Sequence, residues 1–181
     1  MAYISVADGV PGIRSLVMFR PESGRHLYEL AQVLLRGESP LSEADRELIA
    51  AYVSSKNECM FCMSSHAAAA RYLYKDNRQV VDVVLNDYER SPISDQLKAL
   101  LNIAGHVQKT GKAVSEEDVA RARKHGATDR AIHDTVLIAA TFCMFNRYVD
   151  GLASLTPTDP AAYEEMGKRM GEKGYVLPVK A

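Results

Sequence analysis

Two thiols and an imidazole lie within residues 59–66 of this 181-residue chain, and a carboxylate, Glu47, precedes the first thiol by twelve residues. If residues 59–66 are helical, Cys59, Cys62 and His66 stand at positions i, i+3 and i+7 and share one face. Two cysteines with this spacing can close an intramolecular disulfide, and a nearby base and acid can control their protonation. The pattern therefore predicts a thiol redox centre.

Each of these side chains has a chemical role in such a centre. A cysteine attacks a peroxide or a disulfide as the thiolate, and an ordinary thiol with a pKa of about 8.5 is mostly protonated at neutral pH. A helix N-terminus favours the thiolate, His66 can accept the proton of Cys62 one turn away, and Glu47 can orient the imidazole if the two helices pack together. Cys59 can then attack a sulfenic acid on Cys62 and form a disulfide before further oxidation.

Metal binding and simple packing are the alternatives to redox chemistry. Two thiolates, His66 and Glu47 could supply four zinc ligands, but structural zinc sites normally use a second CxxC or HxxxH pair, which this sequence lacks. We therefore expect no metal and no cofactor. The third cysteine, Cys143, stands in the apolar run 142–145 and is interpreted as a small core residue.

The composition is that of a soluble globular protein, with 47% hydrophobic residues, 25% charged residues and a net charge of −1. The near-zero charge gives no reason to expect nucleic-acid binding or a basic membrane-binding patch. No apolar run approaches the ~20 residues needed to span a bilayer, and residues 1–12 lack the pattern of a secretory signal. We expect a cytoplasmic protein.

The elements that must position these side chains are all predicted to be helices. The apolar spacing and the capping residues Ser42, Ser94, Ser115 and Thr128 indicate an all-α fold without convincing strands. Asn57 is expected to end the second helix in a left-handed conformation. The predicted helices cover 22–36, 43–56, 59–74, 79–88, 95–109, 116–124, 129–153 and 161–171. We divide the chain into an N-terminal arm (1–20), a helical domain (21–155) and a C-terminal short helix with a loose tail (156–181).

One internal similarity indicates a possible duplication of a helix pair. A shift of 84 residues aligns segment 43–70 with segment 127–154 at six identities in 28 positions, including Cys59-Met60-Phe61 with Cys143-Met144-Phe145. The second segment lacks the reactive groups of the first. The residues in place of Glu47, Cys62 and His66 are Ala131, Asn146 and Asp150.

The sequence resembles a known family in two regions. Leu41-Ser42-x-x-Asp45-Arg46-Glu47-Leu48-Ile49, followed by Asn57-x-Cys59-x-x-Cys62-x-x-x-His66, resembles the core of the AhpD-like alkylhydroperoxidases within the carboxymuconolactone decarboxylase superfamily. The segment 145–152 is similar to the closing helix of the subgroup called peroxidase-related proteins. Together the resemblance covers about residues 20–155, and the spacing from Glu47 to His66 is its most specific part.

The resemblance implies an AhpD-like helical bundle that assembles into homotrimers or homohexamers. It implies that Cys62 reacts with the peroxide, that Cys59 resolves the product, and that Glu47 and His66 form a proton relay. The reductant would be a dithiol, possibly one carried by a lipoyl-bearing protein. One position departs from the family pattern, because Phe61 stands where well-studied members carry a second histidine between the cysteines.

These observations predict a thiol-dependent peroxidase that reduces hydrogen peroxide or organic hydroperoxides through a disulfide cycle. Two alternatives stay open: a thiol–disulfide reductase or redox sensor, and a non-redox, decarboxylase-like protein that binds a small molecule. We also expect a homo-oligomer, because helix 129–153 is apolar on most sides and a domain of this size offers little interior to bury it.

Overall fold

A computed structural model describes residues 2–176, and this part of the chain folds into nine α-helices and two short 3-10 turns, with no β-strand. The predicted all-α class is confirmed. The helices are α1 (Ile13–Phe19), α2 (Pro21–Arg36), α3 (Glu43–Lys56), α4 (Met60–Tyr74), α5 (Val80–Asp87), α6 (Asp95–Lys109), α7 (Glu116–Lys124), α8 (Asp129–Gly151) and α9 (Pro160–Lys173).

Helix α3 lies at the centre of the molecule and is buried without interruption from Arg46 to Ser54. Helices α4, α6 and α8 pack around it, so its side chains contact neighbours on nearly every side. The core that results is made of aliphatic and aromatic side chains from these four helices, with further ones from α2 and α5; its fully buried members include Leu48, Ile49, Val53, Leu100, Leu101, Ile103 and Ile138. Because α3 is buried all round, its polar residues must find partners inside the protein.

Four predicted helix starts are confirmed by side-chain caps. The side chains of Ser42, Ser94, Ser115 and Thr128 each accept a hydrogen bond from a backbone N–H three residues on, at 3.1–3.2 Å. At Ser115 the N3 carboxylate also accepts from the cap residue's own N–H, which completes a capping box. These starts are local features, and the sequence alone predicts them correctly.

The turn between α3 and α4 differs from the prediction at two residues. Asn57 ends α3 with φ −86°, and it is Glu58 that has the positive φ, 58°. Cys59 does not belong to the body of the helix: it is the N-cap of α4, with φ −80° and ψ 94°. The backbone therefore turns at Glu58, and the Cys59 thiol is carried by a residue just outside the helix.

The predicted N-terminal arm contains a helix, α1, that the sequence pattern did not reveal. Its seven residues have no side-chain cap and no acidic residue in the first turn. Leu16 and Val17 are buried against α2, so α1 forms through tertiary packing and not through local signals.

The predicted repeat of a helix pair is not present as a pair. Segment 127–154 contains α8, a single helix of 23 residues, with no break at the positions that correspond to the α3–α4 turn. Its inner face is buried, whereas Leu137 and Met144 on the outer face are 36% and 45% exposed. Within residues 2–176, no helix combines the length and the apolar character needed to cross a membrane.

The C-terminal helix, predicted at 161–171, covers Pro160–Lys173 and packs along α4. Gly167 makes this close approach possible, because a Cβ at that position would lie 2.5 Å from the backbone carbon of Ala68. The residues that follow were expected to form a loose tail. In the structure, Gly174 turns the chain with φ 64°, and Tyr175 extends into the protein; residues 177–181 lie outside the described part.

Candidate active site

The two predicted redox cysteines lie together at the start of α4. Cys59 donates its backbone N–H to the Ser54 carbonyl at 3.0 Å, and the Cys59 carbonyl accepts from Met63 at 2.9 Å, which fixes the turn. Cys62 is the third residue of α4, and its thiol is close enough to that of Cys59 to influence its protonation. Both are free thiols, 0% and 4% exposed.

The surroundings of Cys59 keep its thiol protonated at neutral pH. The neighbouring Cys62 thiol and burial raise the pKa of Cys59 far above its ordinary value.

The predicted acid and base also lie together. Glu47 on α3 is fully buried, and its Oε2 lies 2.6 Å from Nδ1 of His66 on α4. His66 is 8% exposed, and its ring packs edge-on against Phe142 with centroids 4.5 Å apart. The packing of α3 on α4 thus brings together two residues that are nineteen positions apart in the sequence.

Two further residues complete this polar cluster, and the sequence pattern did not single out either of them. Arg36, the last residue of α2, donates from Nη2 to Glu47 Oε1 at 2.6 Å and to the carbonyl of Met170 at 3.0 Å. Tyr175 donates its hydroxyl to the same Oε1 of Glu47 at 2.6 Å. Their distance from Glu47 along the chain leaves no local signal; only the packing of α2 and the C-terminal segment against α3 brings them here.

The surroundings hold Glu47 as an anion. Burial alone would raise the pKa of its carboxyl, but the charges of His66 and Arg36 and the hydrogen bonds from His66 and Tyr175 outweigh burial and lower it. Burial and the Glu47 charge raise the pKa of Tyr175, which keeps its hydroxyl protonated. An anionic Glu47 accepts a proton held at Nδ1 of His66, which assigns the basic lone pair of the neutral ring to Nε2.

The structure does not join the thiol pair directly to the imidazole. In the part of the chain that the structure describes, His66 makes hydrogen bonds with Glu47 and Tyr175 and none with Cys59 or Cys62. The predicted proton transfer from Cys62 to His66 therefore requires an intervening water molecule or a small rearrangement of side chains.

A narrow apolar cavity adjoins the imidazole. Its volume is about 50 Å³. Phe61, Ser65 and His66 of α4 form one wall, and Met166 and Met170 of α9 form another. Phe61 comes so close to Gly12 that a Cβ there would collide with its ring, 1.9 Å away. The side chain that replaces the family's second histidine is thus a wall of this cavity.

Cys143 lies apart from the thiol pair, on α8. Its sulfur is 3.5 Å from Nδ2 of Asn57, which also donates to Asn146 at 2.8 Å. Asn146 in turn donates to Ser54 at 3.0 Å. This part of α8 therefore supports the α3–α4 turn. Across residues 2–176, no three histidine, cysteine, aspartate or glutamate side chains come together as a cluster that could hold a metal ion.

Comparisons with known proteins agree with this all-helical fold, and one of them matches the segment that contains the central helices. Residues 21–91, which contain α2 to α5, match the model of the Carboxymuconolactone decarboxylase family. These residues include all four predicted site residues. No curated protein sequence is similar enough to this chain to count as a match.

Three solved structures illustrate the likeness. An uncharacterized peroxidase-related protein from Silicibacter sp. TM1040 is 29% identical, with a TM-score of 0.77, over 86% of this chain and 79% of that one. A second one, from Ralstonia eutropha JMP134 and described as an alkylhydroperoxidase AhpD core, is 27% identical, with a TM-score of 0.77, over 88% and 82%.

The third structure shares the fold at lower identity. The debrominase Bmp8, in complex with 2,3,4-tribromopyrrole, is 19% identical, with a TM-score of 0.73, over 87% of this chain and 83% of that one. The resemblance to the AhpD/carboxymuconolactone decarboxylase superfamily that the sequence predicts is confirmed by the family match over residues 21–91 and by the two more similar structures.

Proposed function

We propose that this protein is a thiol-dependent peroxidase that reduces hydrogen peroxide or small organic hydroperoxides. The observation that carries the proposal is the pair of neighbouring free thiols, Cys59 and Cys62, at the start of α4, the helix that also holds His66 against a buried, ionised Glu47. Two of the similar solved structures are described as peroxidase-related proteins, which supports the proposal.

In the first step Cys62 attacks the peroxide as a thiolate. Its proton passes to Nε2 of His66, through water in the cavity beside the ring. The resulting imidazolium is stabilised by Glu47, and because Arg36 already balances the charge of Glu47, the imidazolium balances the thiolate. The sulfur takes the distal oxygen, the O–O bond breaks, and the leaving alkoxide or hydroxide takes up the proton. The products are Cys62 sulfenic acid and an alcohol or water.

In the second step Cys59 closes the disulfide. The Cys59 sulfur attacks the sulfenic sulfur of Cys62, and the hydroxyl group leaves as water with the proton of Cys59. Two electrons have then moved from the two thiols to the peroxide. An external dithiol restores both thiols by exchange and leaves as its own disulfide. We propose a dithiol of the dihydrolipoyl type, carried by a lipoyl-bearing protein, as this partner.

The cavity beside His66 favours compact oxidants. Its volume of about 50 Å³ suits hydrogen peroxide or a short alkyl hydroperoxide, and apolar walls such as Phe142 and Met166 suit an alkyl group. Neither cysteine lines the cavity, so the peroxide must pass Phe61, the residue before Cys62, to reach the thiol. A bulky hydroperoxide requires Phe61 or the methionines of α9 to move. We therefore expect rates to fall as the alkyl group grows.

Stopped-flow oxidation of the fully reduced protein tests this function. Wild type should consume one peroxide per chain and lose both thiols of the pair, whereas Cys62→Ser should lose the fast reaction. Cys143→Ser is the matched control, since it removes a thiol outside the pair, and its rate should match wild type within about twofold. Cys59→Ser should react once and then accumulate sulfinic acid, which mass spectrometry detects.

Equal peroxide consumption by wild type and Cys62→Ser would exclude the mechanism. Faster exchange with a model disulfide than with any peroxide would support the alternative of a thiol–disulfide reductase or redox sensor.

A non-redox function is the second candidate, because the cavity is lined by His66 and by apolar side chains but not by either cysteine. In that case the helices form a binding site for a small molecule, and the cysteines are structural. Alkylation of both Cys59 and Cys62 separates the two candidates, since it abolishes the peroxidase and leaves activity on such a substrate intact.

We also propose that the protein is a homo-oligomer, a trimer or a hexamer. The exposed Leu137 and Met144 on the outer face of α8 are apolar side chains that association would bury. A solution mass near that of one chain, 19.9 kDa, at micromolar concentration would contradict this proposal.

A further inference from the structure

The segment that follows α9 brings a tyrosine into contact with both members of the acid–base pair. The hydroxyl of Tyr175 lies 2.6 Å from Oε1 of Glu47 and 3.3 Å from Nδ1 of His66. Its ring is nearly parallel to that of His66, at 11° with centroids 6.1 Å apart. The guanidinium of Arg36 lies over the same tyrosine ring, 5.2 Å from its centroid. A single side chain thus contacts every charged group of the cluster.

The position of Tyr175 is fixed by contacts outside the cluster. Its backbone N–H donates to the side chain of Gln32 at 2.7 Å, and Gly174 turns the chain towards α2 with φ 64°. With φ 64° and ψ −148°, residue 174 has a backbone conformation that is essentially confined to glycine, so this turn requires glycine. The tyrosine is therefore held against α2 by its own backbone, independently of its hydroxyl.

The two oxygens of the Glu47 carboxylate accept hydrogen bonds from three donors. Arg36 and Tyr175 donate to Oε1, which leaves Oε2 to His66 alone. Glu43, the other acidic residue near Arg36, lies 3.6 Å from its Nε and is 42% exposed. Because Oε1 is saturated, the carboxylate cannot turn away from the imidazole, and the Nδ1–H of His66 stays directed at Oε2.

We propose that Tyr175 is a positioning residue of the peroxidase site, which holds the Glu47 carboxylate and the His66 ring in the orientation that makes Nε2 the base for Cys62. This inference rests on the proposed function, and it adds to the relay a residue from the C-terminal segment. Tyr175 touches neither substrate nor thiol; it acts through Glu47 and His66.

The test compares Tyr175→Phe with Tyr72→Phe. The first substitution removes the hydroxyl bound to Glu47 and keeps the ring on His66. The second removes a tyrosine–carboxylate hydrogen bond of 3.0 Å, between Tyr72 of α4 and Glu172 of α9, which lies outside the site. Both variants should remain folded, as melting curves will show, because each loses one hydroxyl and no ring.

Two readouts separate a positioning role from a structural one. The first is the pH midpoint of thiolate formation, followed by thiolate absorbance in the ultraviolet, and the second is the rate of alkylation of Cys62 by iodoacetamide. Tyr175→Phe should raise the midpoint by about one pH unit and slow alkylation at neutral pH about tenfold, because the Glu47 carboxylate is no longer held towards His66 and the imidazolium that balances the thiolate loses its oriented partner. Tyr72→Phe should match wild type in both.

Identical midpoints and rates for wild type and Tyr175→Phe would overturn the proposal, and so would an equal loss in Tyr72→Phe. Neither readout uses a peroxide. If the protein proves unable to reduce peroxides while Tyr175→Phe still shifts the midpoint, the proposed function fails and the positioning role stands.

Discussion

The start of α4 and the middle of α8 contain the same three residues, Cys-Met-Phe, but the backbone conformation differs between the two places. In segment 43–70 the chain breaks after α3, Glu58 takes a positive φ, and Cys59 becomes an N-cap. In segment 127–154 the helix continues, so Cys143 lies within α8. The first backbone makes two thiols neighbours, and the second supports the first through Asn146. The proposed redox chemistry therefore depends on the helix break as much as on the residue types.

The largest expected effect comes from building a second CxxC in α8. Asn146→Cys, combined with Cys59→Ser and Cys62→Ser, places two thiols at i and i+3 of a continuous helix. Their Cβ atoms are then about 5–6 Å apart, beyond the roughly 3.5–4.5 Å that a disulfide requires. We expect the new pair to stay reduced under diamide treatment that fully oxidises the wild-type pair, as measured by mass spectrometry.

The result would break the comparison if the engineered pair formed a disulfide as readily as the wild-type pair. The helix break would then be irrelevant to the redox chemistry. Circular dichroism of the variant provides the control, since loss of the Asn146 hydrogen bonds must not unfold the protein.

The next effect concerns the acidic residue of the first segment, which is Ala131 in the second. Glu47→Gln keeps the shape of the side chain but removes a fully buried charge that pairs with Arg36 and His66. We expect the free energy of unfolding to fall by about 3 kcal/mol at pH 7, measured with urea. Glu43→Gln on the same helix is the matched control, because that residue is 42% exposed and should cost less than about 1 kcal/mol.

The same variant should change the response to acid. The pKa of Glu47 lies below its ordinary value of 4.5, so its contribution to stability is present above that pH and is lost as the pH falls through the lower, folded-state pKa. Wild type should therefore lose stability below about pH 4.5 more steeply than Glu47→Gln. Parallel curves for the two proteins would show that Glu47 is not held as a stabilised anion.

The smallest effect is at the break itself. Glu58 has φ 58°, a conformation that costs a residue with a Cβ about 1–2 kcal/mol, partly offset by the greater entropy that glycine loses on folding. Glu58→Gly should raise the free energy of unfolding by about 0.5 kcal/mol, whereas Glu58→Ala, which keeps the Cβ, should not. A clear loss of stability in Glu58→Gly would mean that the glutamate side chain itself stabilises the turn.

Local signals made much of this fold predictable. Ser42, Ser94, Ser115 and Thr128 each cap the helix that the sequence assigned to them, because a cap involves residues only three positions apart. Helix α1 was missed for the opposite reason. It has no cap and only seven residues, so its formation depends on α2, against which it packs.

The candidate site was predictable to the same limited extent. The spacing of Glu47, Cys59, Cys62 and His66 predicts a shared site, and the structure brings Glu47 to His66 and Cys59 to Cys62. The spacing does not predict that the residue with positive φ is Glu58 and not Asn57. That detail depends on the direction in which α4 must leave α3 in order to pack against it.

The amino-acid sequence by itself determined the helical class, most helix starts and the set of groups available for thiol chemistry, because these depend on periodicity and on neighbours a few residues away. Only the tertiary structure decided which groups share one buried cluster. Arg36 reaches Glu47 from the end of α2 and Tyr175 from the segment after α9, and no local pattern encodes that meeting. A buried carboxylate must be paired wherever its partners come from, so the packing of α2, α4 and the C-terminal segment around α3 selected them.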